Sequence, residues 1–347
     1  MNFKVILFTI IVIIVISTNS IIYNNHVEIK KNVSIAITGD VMFARKMPTV
    51  LYNNKSPFKG VDNITSNVDL LLINFENAAT TTNNQIKKDV ALKCSPRYVP
   101  LARAGNETVA ALANNHILDY GIEGMDDTIK NLENNNITVI GAGLNESEAH
   151  KCVVKNISGR KITILNYMDS NNFKEYSYDT MPYANNTKPG YSAYDLNDAQ
   201  RQIRQNNDSD LIIVYMHFGE EYSKTPNSNQ IKIAHDLIDN GASVVIGCHP
   251  HVTQSIEVYK GKPIFYSLGN FIFDQSNINT HESYFIKINL VNSTGECNVY
   301  PINIYNYLPE FMDGNTSDNF LNSLSDELNI SNGVGKLQFN LTRRCNY

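Results

Sequence analysis

Residues 244–251 read Val-Val-Ile-Gly-Cys-His-Pro-His, an apolar run that ends in two histidines. A short apolar run of this kind predicts a buried strand with polar groups at its carboxyl end. Alternate residues of an extended segment project to the same side, and Pro250 favours extended backbone at His249. We therefore expect His249 and His251 to share a ligand, although such a pair taken alone is as often structural.

The same arrangement, a predicted strand followed by polar residues, occurs four more times in the chain. The apolar runs and their polar continuations are 33–38 with Gly39-Asp40, 70–73 with Asn74-Phe75-Glu76, 109–113 with Asn114-Asn115-His116, and 211–216 with His217-Phe218-Gly219-Glu220-Glu221. Ligands of an open α/β sheet bind at the carboxyl ends of its strands. Carboxylate, amide and imidazole groups gathered there suit borderline or hard divalent metals, so the pattern predicts a metal site.

Single motifs also have structural interpretations. Gly39-Asp40 alone fits a turn, and Asn114-Asn115-His116 could cap the following turn rather than offer an amide oxygen and a ring nitrogen as ligands. Asn74 and Glu76 would point to one face of their strand, and a buried carboxylate on an apolar strand is costly unless a cation or partner balances it. Glu221 is predicted to orient a ligand histidine without binding the metal itself. The five motifs together make coincidence a poor explanation.

Composition limits the class of protein. The 347 residues, 42% of them hydrophobic, suffice for one large core or a core with a small appendage. A net charge of −5 and a pI near 5.9 argue against a nucleic-acid partner. Alternating strand and helix patterns predict an α/β protein with at least one mixed sheet. The hairpin patterns after residue 255 suggest a second sheet packed on the first, and residues 311–347 read as a polar C-terminal tail with one weak amphipathic helix at 320–328.

The amino terminus predicts export. Lys4 precedes the apolar run 5–16, and a second apolar patch follows at 21–23. A cleaved signal peptide and an uncleaved membrane anchor both fit residues 1–28, with a slight preference for the anchor. The expected location is therefore the cell membrane, with an extracellular domain, or the medium.

The five cysteines contain no CxxC element, which excludes a zinc knuckle. One or two disulfides are compatible with the sequence, which does not pair the cysteines. Cys248 is interpreted as a small buried hydrophobe in preference to a soft metal ligand.

Six segments match one family in order: 37–45, 74–77, 113–121, 217–222, 247–252 and 266–271. Through them the chain resembles the capsule-synthesis (CapA/PgsA, poly-γ-glutamate biosynthesis) family, which is similar to the calcineurin-like metallophosphatases. The resemblance spans about residues 34–274. It implies a four-layer α-β-β-α sandwich of metallophosphatase type with two mixed sheets, and we place this domain at residues 33–310.

The resemblance also implies roles for individual residues. His116 would be the general acid, and Asn74 and Glu221 would support the ligands. The implied ligands of one or two Mn, Fe or Zn ions are Asp40, Glu76, Asn115, His217, His249 and His251. The chain departs from the phosphatase pattern at Met42, where those enzymes have a histidine ligand, and at Ile117, where they have an acidic residue.

Two functions follow as alternatives. The first is an exported, metal-dependent hydrolase-like protein, of phosphoesterase type, that acts on a surface polymer or phosphoester. The second is a non-catalytic accessory subunit that binds an anionic polymer within a membrane synthesis or export complex. A secreted nucleotidase is a weaker third interpretation. The sequence leaves open whether the protein is an enzyme.

Overall fold

The computed structural model describes residues 31–52, 56–170 and 183–341. Their strands are β1 Val33–Val41, β2 Leu70–Phe75, β3 Ala78–Ala79, β4 Lys93–Cys94, β5 Glu107–Ala111, β6 Ile137–Ile140, β7 Ala142–Gly143, β8 Val153–Ile157, β9 Arg160–Met168, β10 Gly190–Tyr191, β11 Leu211–His217, β12 Val244–Cys248, β13 Ile256–Tyr259, β14 Lys262–Phe265, β15 Asn270–Ile272, β16 Glu282–Val291, β17 Thr294–Tyr305, β18 Leu308–Phe311, β19 Asn329–Ser331 and β20 Val334–Asn340. Their α-helices are α1 Met47–Val50, α2 Asp62–Thr65, α3 Gly121–Asn134, α4 Glu146–Ala149, α5 Leu196–Gln205, α6 Ser228–Asp239 and α7 Gly314–Leu324.

Two mixed sheets form the centre of the molecule. The larger has ten strands, with the order β19-β20-β17-β16-β1-β2-β5-β6; β15 pairs with β1 and β18 with β17. Its strands β1, β2, β5 and β6 run parallel, whereas β16 runs antiparallel to β1. The smaller has six strands in the order β13-β14-β12-β11-β9-β8, and β9, β11, β12 and β14 are parallel. Each sheet therefore has a parallel part whose carboxyl ends can carry ligands.

The apolar residues divide into three buried clusters that define four layers. Ile35 and Leu72 of the large sheet pack with Ile213 and Ile246 of the small sheet between the two. A second cluster covers the outer face of the large sheet under α3, and a third covers the outer face of the small sheet under α5 and α6. The α-β-β-α order confirms the fold class expected from the sequence.

Two expectations about the second half of the chain need correction. The hairpin β16–β17 extends the large sheet next to β1, and only β13–β14 joins the small sheet. The described residues after 312 also form more than a polar tail, because α7 is followed by β20, which pairs with β17 in the large sheet. Leu337 and Phe339 of β20 are buried in the core between the sheets. The sequence around β16 and β20 shows only a local pattern. It does not reveal that β16 pairs with β1 and β20 with β17.

The predicted N-terminal segment, residues 1–28, lies outside the described residues. Within the described ranges, no helix combines the length and apolar character that crossing a membrane requires. Four of the five cysteines are described, and Cys94, Cys152, Cys248 and Cys297 are all free thiols.

Candidate metal centre

The predicted polar motifs meet where the carboxyl ends of the two sheets face each other. Asp40, the penultimate residue of β1, is in register with Asn74 on β2, and His217 ends β11 opposite Cys248 on β12. The Tyr215 hydroxyl donates a 2.7 Å hydrogen bond to the carbonyl of residue 38, which links the two sheets directly beneath this point. Strand ends from both sheets thus contribute to one buried site.

Two glycines allow this close approach. A Cβ at Gly39 would lie 1.8 Å from the carbonyl oxygen of Gly269, and a Cβ at Gly247 would lie 2.0 Å from that of Tyr266. The same Gly269 carbonyl accepts a 3.1 Å hydrogen bond from the backbone N–H of Asp40. The loop that passes over the strand ends therefore fixes the position of Asp40.

Six side chains at this point, all buried except the half-buried Asn115, form what we call the carboxylate–histidine cluster, defined as Asp40, Glu76, Asn115, His217, His249 and His251. Two groups within and beside it place potential ligand atoms within 4.8 Å of one another. These groups are Asp40 with Glu76 and His251, and Asp40 with His217 and Cys248.

Asn74 holds the two carboxylates. Its amide nitrogen donates to Asp40 Oδ1 at 2.8 Å and to Glu76 Oε2 at 3.1 Å, and its oxygen accepts from Asn114 at 3.1 Å. The other carboxylate oxygens, Asp40 Oδ2 and Glu76 Oε1, are also buried: Glu76 Oε1 has no hydrogen-bond partner, and Asp40 Oδ2 faces His251 Nδ1 at 3.1 Å. A buried carboxylate oxygen without a donor is costly, and a divalent cation would offset that cost.

The histidines surround these oxygens. The Nδ1 atom of His251 lies 2.9 Å from Asn270 Oδ1 and 3.1 Å from Asp40 Oδ2, and its Nε2 lies 3.9 Å from Glu76 Oε1. The rings of His217 and His249 have centroids 4.6 Å apart, and His249 Nδ1 is buried without a partner.

Asn115 and Cys248 flank His217 on its two ring nitrogens. The Asn115 Oδ1 atom lies 3.1 Å from His217 Nε2, and the Cys248 sulfur lies 3.2 Å from Nδ1. Cys248 is fully buried, which agrees with its interpretation as a small core residue, although its sulfur also faces the cluster. Burial raises the pKa of the Cys248 thiol well above its ordinary value, and Asp40 and Glu76 add to that shift.

The backbone at the His-Pro-His motif differs from the expected extended segment. His249 has φ +99° and His251 has φ +58°, conformations that non-glycine residues rarely adopt. The carbonyl of Pro250 accepts a 2.8 Å hydrogen bond from the Tyr222 N–H, which stabilises the turn. The rings still converge, with centroids 6.3 Å apart, and strain of this kind is common where side chains must meet at a functional site.

The pKa values follow from burial. Burial raises the pKa of Glu76 well above its ordinary value, and the neighbouring Asp40 raises it further. Burial also acts to raise the pKa of Asp40, but the hydrogen bond and charge of His251 and the Asn74 amide hold it below its ordinary value. Burial lowers the pKa of His249 to about 3 and that of His217 well below its usual range. Neutral His217 and His249 beside an ionised Asp40 are the forms that bind metals, whereas His251 differs: burial acts to lower its pKa, but the hydrogen bond and charge of Asp40 raise it above its ordinary value, so metal binding there would release a proton.

His116 lies against Glu76 on one side and a carboxylate on the other. Its Nδ1 is 2.5 Å from Asp119 Oδ2, and its Nε2 is 4.0 Å from Glu76 Oε1. The buried Lys88 donates to Asp119 Oδ1 at 2.9 Å and to the Asn115 carbonyl at 2.7 Å. Asp119 therefore supplies the acidic partner that Ile117 lacks, since Ile117 itself is buried in the outer core.

Two other predicted features are placed differently. Met42, at the position of the absent histidine, is buried in the core on the outer face of the large sheet, and its sulfur accepts from the Ala44 N–H at 2.8 Å. Glu221 is exposed, and among the described residues no hydrogen bond joins it to a histidine. Its charge nevertheless raises the pKa of Glu76 and of His251.

Sequence reasoning missed three residues that support the cluster: Lys88, Asp119 and Asn270. Asp119 follows His116 by three residues, a spacing that brings the two together in a tight turn. Asn270 lies in β15, which is parallel to β1 with Asn270 paired to Asp40. Lys88 comes from a polar loop with no motif, and only the tertiary fold reveals it.

The layer order and the position of the cluster define a metallophosphatase-like α/β protein. The family model described as bacterial capsule synthesis protein PGA_cap matches residues 34–275, and the chain belongs to this family. This confirms the resemblance recognised in the sequence.

Curated relatives include two Bacillus proteins. The "PGA biosynthesis protein CapA" of Bacillus subtilis (strain 168) is 33% identical over 282 residues, which cover 80% of this chain and 73% of that protein. The "Capsule biosynthesis protein CapA" of Bacillus anthracis is 31% identical over 292 residues, covering 81% and 69%. Among solved structures, a hypothetical protein from Thermus thermophilus superposes with a TM-score of 0.47 at 14% identity, covering 89% of this chain and 99% of that one.

Proposed function

We propose that this protein is an exported component of capsule or poly-γ-glutamate biosynthesis and that its carboxylate–histidine cluster is a metal-dependent, hydrolase-like site. One observation carries the metal proposal: Glu76 Oε1 is buried without a hydrogen-bond partner, and Asp40 Oδ2, equally buried, faces His251 Nδ1 at 3.1 Å. Carboxylate oxygens and imidazole nitrogens gathered in this way fit a borderline or hard divalent ion. The polymer role is supported by family membership and by the names of the Bacillus relatives.

The ligands divide between two positions. Asp40, Glu76 and His251 would hold one ion, and Asp40 with His217, Asn115 and His249 would hold a second. Mn, Fe and Zn are the candidate metals. When bound, such ions act as Lewis acids on a phosphoryl or similar group.

The chain itself contributes proton transfer through His116. Asp119 accepts at Nδ1 and fixes the ring with Nε2 towards the cluster, so the ring, once it has taken up a proton at Nε2, would give that proton to a leaving group. Lys88 braces Asp119 from the other side. The side chains of His116, Asp119 and Lys88 are all nearly buried, so the contacts that would orient the general acid are shielded from water.

Export rests on the sequence of residues 1–28, with its lysine and apolar run. We propose that this segment anchors the protein in the membrane with the cluster outside the cell. Protease accessibility of the domain in intact cells tests this, and protection equal to that of a cytoplasmic marker would contradict it.

The metal proposal is tested by elemental analysis of the purified protein. We expect Mn, Fe or Zn at one to two ions per chain, removable with chelator and restored on dialysis against the metal. The double variant Asp40→Ala, His249→Ala should lose this metal. Its control is Asp198→Ala, His150→Ala, which removes an acid–histidine pair of the outer layer, 2.9 Å apart, and should retain the metal. Protein without metal and without restoration would refute the proposal.

The second candidate is a polymer-binding accessory role without chemistry. It is favoured by Met42, whose side chain lies in the core and supplies no ligand at the position where phosphatases have a histidine. In cells, normal surface polymer with a folded Asp40→Ala, His249→Ala protein would favour this binding role. Loss of polymer with the same folded protein, and not with the control pair, would favour the hydrolase-like site.

A further inference from the structure

Two aromatic rings lie beside His251. The Phe273 ring lies 4.7 Å from the His251 ring, and the Arg45 guanidinium lies over Phe273, 5.4 Å from its centroid. The Tyr222 ring lies 6.3 Å from the His251 ring. The Arg45 side chain is 37% exposed and Tyr222 is 48% exposed, whereas His251 is buried. Two partly exposed polar side chains therefore lie next to the residues that cover His251.

Arg45 is held in place by a buried acid. Its Nη2 forms an ion pair with Asp274 Oδ1, and the Lys46 N–H donates to Asp274 Oδ2 at 2.9 Å. The Asp274 side chain is only 2% exposed, so this support is rigid. Arg45 also has φ +53°, a strained conformation for a residue with a side chain.

The Arg45 guanidinium nevertheless has N–H donors that are available to a ligand. Of its five N–H groups, those on Nε and Nη1 have no protein partner among residues 31–52, 56–170 and 183–341. A guanidinium fixed by one carboxylate and one ring presents its remaining edge in a defined direction. This is the geometry that binds a carboxylate or phosphate with two parallel hydrogen bonds.

Tyr222 offers a second donor. Its hydroxyl oxygen accepts a long 3.4 Å contact from Gln275, and its hydroxyl hydrogen has no acceptor among the described residues. Its N–H bond to the Pro250 carbonyl fixes the residue next to the His-Pro-His turn. Burial raises the pKa of Tyr222 above its ordinary value, so the hydroxyl stays protonated as a donor.

We propose that Arg45 and Tyr222 bind an anionic group of the substrate, a carboxylate or a phosphate, beside the cluster. The proposal rests on the proposed function in one respect, that the substrate of the cluster is an anionic polymer or phosphoester. Glu221 lies next to Tyr222 and is exposed, so its charge opposes an anion at this place. Removing the Glu221 charge should tighten anion binding, whereas changes at Arg45 and Tyr222 should weaken it.

The experiment is isothermal titration of the full chain with two probes, γ-linked triglutamate and inorganic phosphate, each with metal-loaded and with chelator-treated protein. We expect Arg45→Gln to weaken the better probe at least tenfold, because it removes charge-assisted hydrogen bonds. Arg45→Lys should lie between Arg45→Gln and the wild type, since lysine keeps the charge and loses the fork. Tyr222→Phe should weaken binding about threefold, and Glu221→Gln should tighten it.

The matched control is Arg201→Gln on α5, which removes the same kind of exposed arginine from its pair with Asp198, outside the cluster. It should bind both probes as the wild type does. Tyr222→Phe leaves the ion pair between Arg45 and Asp274 intact. It therefore tests the anion site even if Arg45→Gln proves unstable.

The results separate this inference from the proposed function. Weakening by Arg45→Gln or Tyr222→Phe in either metal state supports the anion site, even in a protein that holds no metal, and the tighter probe identifies carboxylate or phosphate. Wild-type affinity in both variants would overturn it while metal binding stands. Failure of both probes to bind the wild type would also overturn it.

Discussion

Replacement of Glu76 by glutamine should stabilise the metal-free protein and destabilise its metal-bound form relative to the wild type. Glu76 Oε1 is buried without a donor and lies 4.0 Å from His116 Nε2. Because Asp119 accepts at Nδ1 of that ring, Nε2 carries a lone pair, so two acceptors face each other. A glutamine amide at this place can donate to the ring.

The size of the effect follows from the unsatisfied oxygen. A buried acceptor without a partner costs about 1–3 kcal/mol, more when it is charged, and the glutamine should recover about that amount. In a domain of this size each kcal/mol corresponds to a shift of about 2–4 °C in Tm. Metal at a hundredfold excess over its Kd should stabilise the wild type by about 2.7 kcal/mol, whereas the variant, with one ligand lost, should gain much less.

The pH dependence has a defined sign. Burial raises the pKa of Glu76, so the unfolded carboxyl ionises first as the pH rises above its ordinary value of 4.5. The metal-free wild type therefore loses stability with rising pH until the raised pKa is passed, and the glutamine variant lacks this loss. The advantage of Glu76→Gln should be small near pH 4 and should grow as the pH rises from 4.5 towards the raised pKa.

The assay is urea unfolding of chelator-treated and metal-loaded protein at several pH values. Glu257→Gln is the control, because the Glu257 carboxylate already bonds His235 at 2.9 Å and Tyr266 at 2.6 Å. It should lose stability slightly, to the same extent with and without metal. If Glu76→Gln lowers the stability of metal-free protein at pH 7, the carboxylate is satisfied by some other means and the argument for a cation there fails.

Two more predictions concern the support of the cluster. Gly39→Ala should cost at least about 3 kcal/mol in urea unfolding, because its Cβ would lie 1.8 Å from the Gly269 carbonyl oxygen; Gly314→Ala, with no atom within 4 Å, should change stability by less than about 0.5 kcal/mol. Equal effects would contradict the close-approach argument. Lys88→Met should cost about 3–5 kcal/mol because it removes the cationic partner of the buried Asp119, which then keeps its contacts with His116 and the Leu92 N–H. Combination with Asp119→Asn should cost less than the sum of the single changes, and strict additivity would rule out the pairing.

The sequence predicted the strands near the site to within about three residues. Residues 211–216 and 244–247 were expected as strands, and the structure has Leu211–His217 and Val244–Cys248. These runs are apolar throughout because parallel strands are buried on both faces. That signal is local, so it can be read without knowing the fold.

Sheet membership could not be read in the same way. β16 pairs with β1 across about 250 residues of sequence, and no local pattern distinguishes this from pairing with β13 or β14. For β20 a signal was present: Gly335, Leu337 and Phe339 are buried and alternate with exposed polar residues. The polar composition around them concealed a period of two that is typical of a strand with one buried face.

The sequence predicted the residues of the carboxylate–histidine cluster, but it did not predict the residues that support them, such as Lys88. Asp40, Glu76, His217 and His251 each follow an apolar run, and strand ends of a sheet meet at one edge. Their ligand roles stay predictions. Lys88 has no such context, because its loop reaches the cluster only after the chain has folded.

The position of the cluster between the two sheets has an energetic consequence. Asp40 lies in β1 and Glu76 directly follows β2 of the large sheet, whereas His217 ends β11 and His249 directly follows β12 of the small sheet. In metal-free protein the two carboxylates repel each other at the point where the sheets meet, and the apolar cluster between the sheets must offset this repulsion. A shared cation would reverse the sign of that interaction and join the sheets through ligands from both. Metal affinity and the packing of one sheet on the other are therefore coupled, so a variant that loosens the inter-sheet core should also weaken metal binding without touching a ligand.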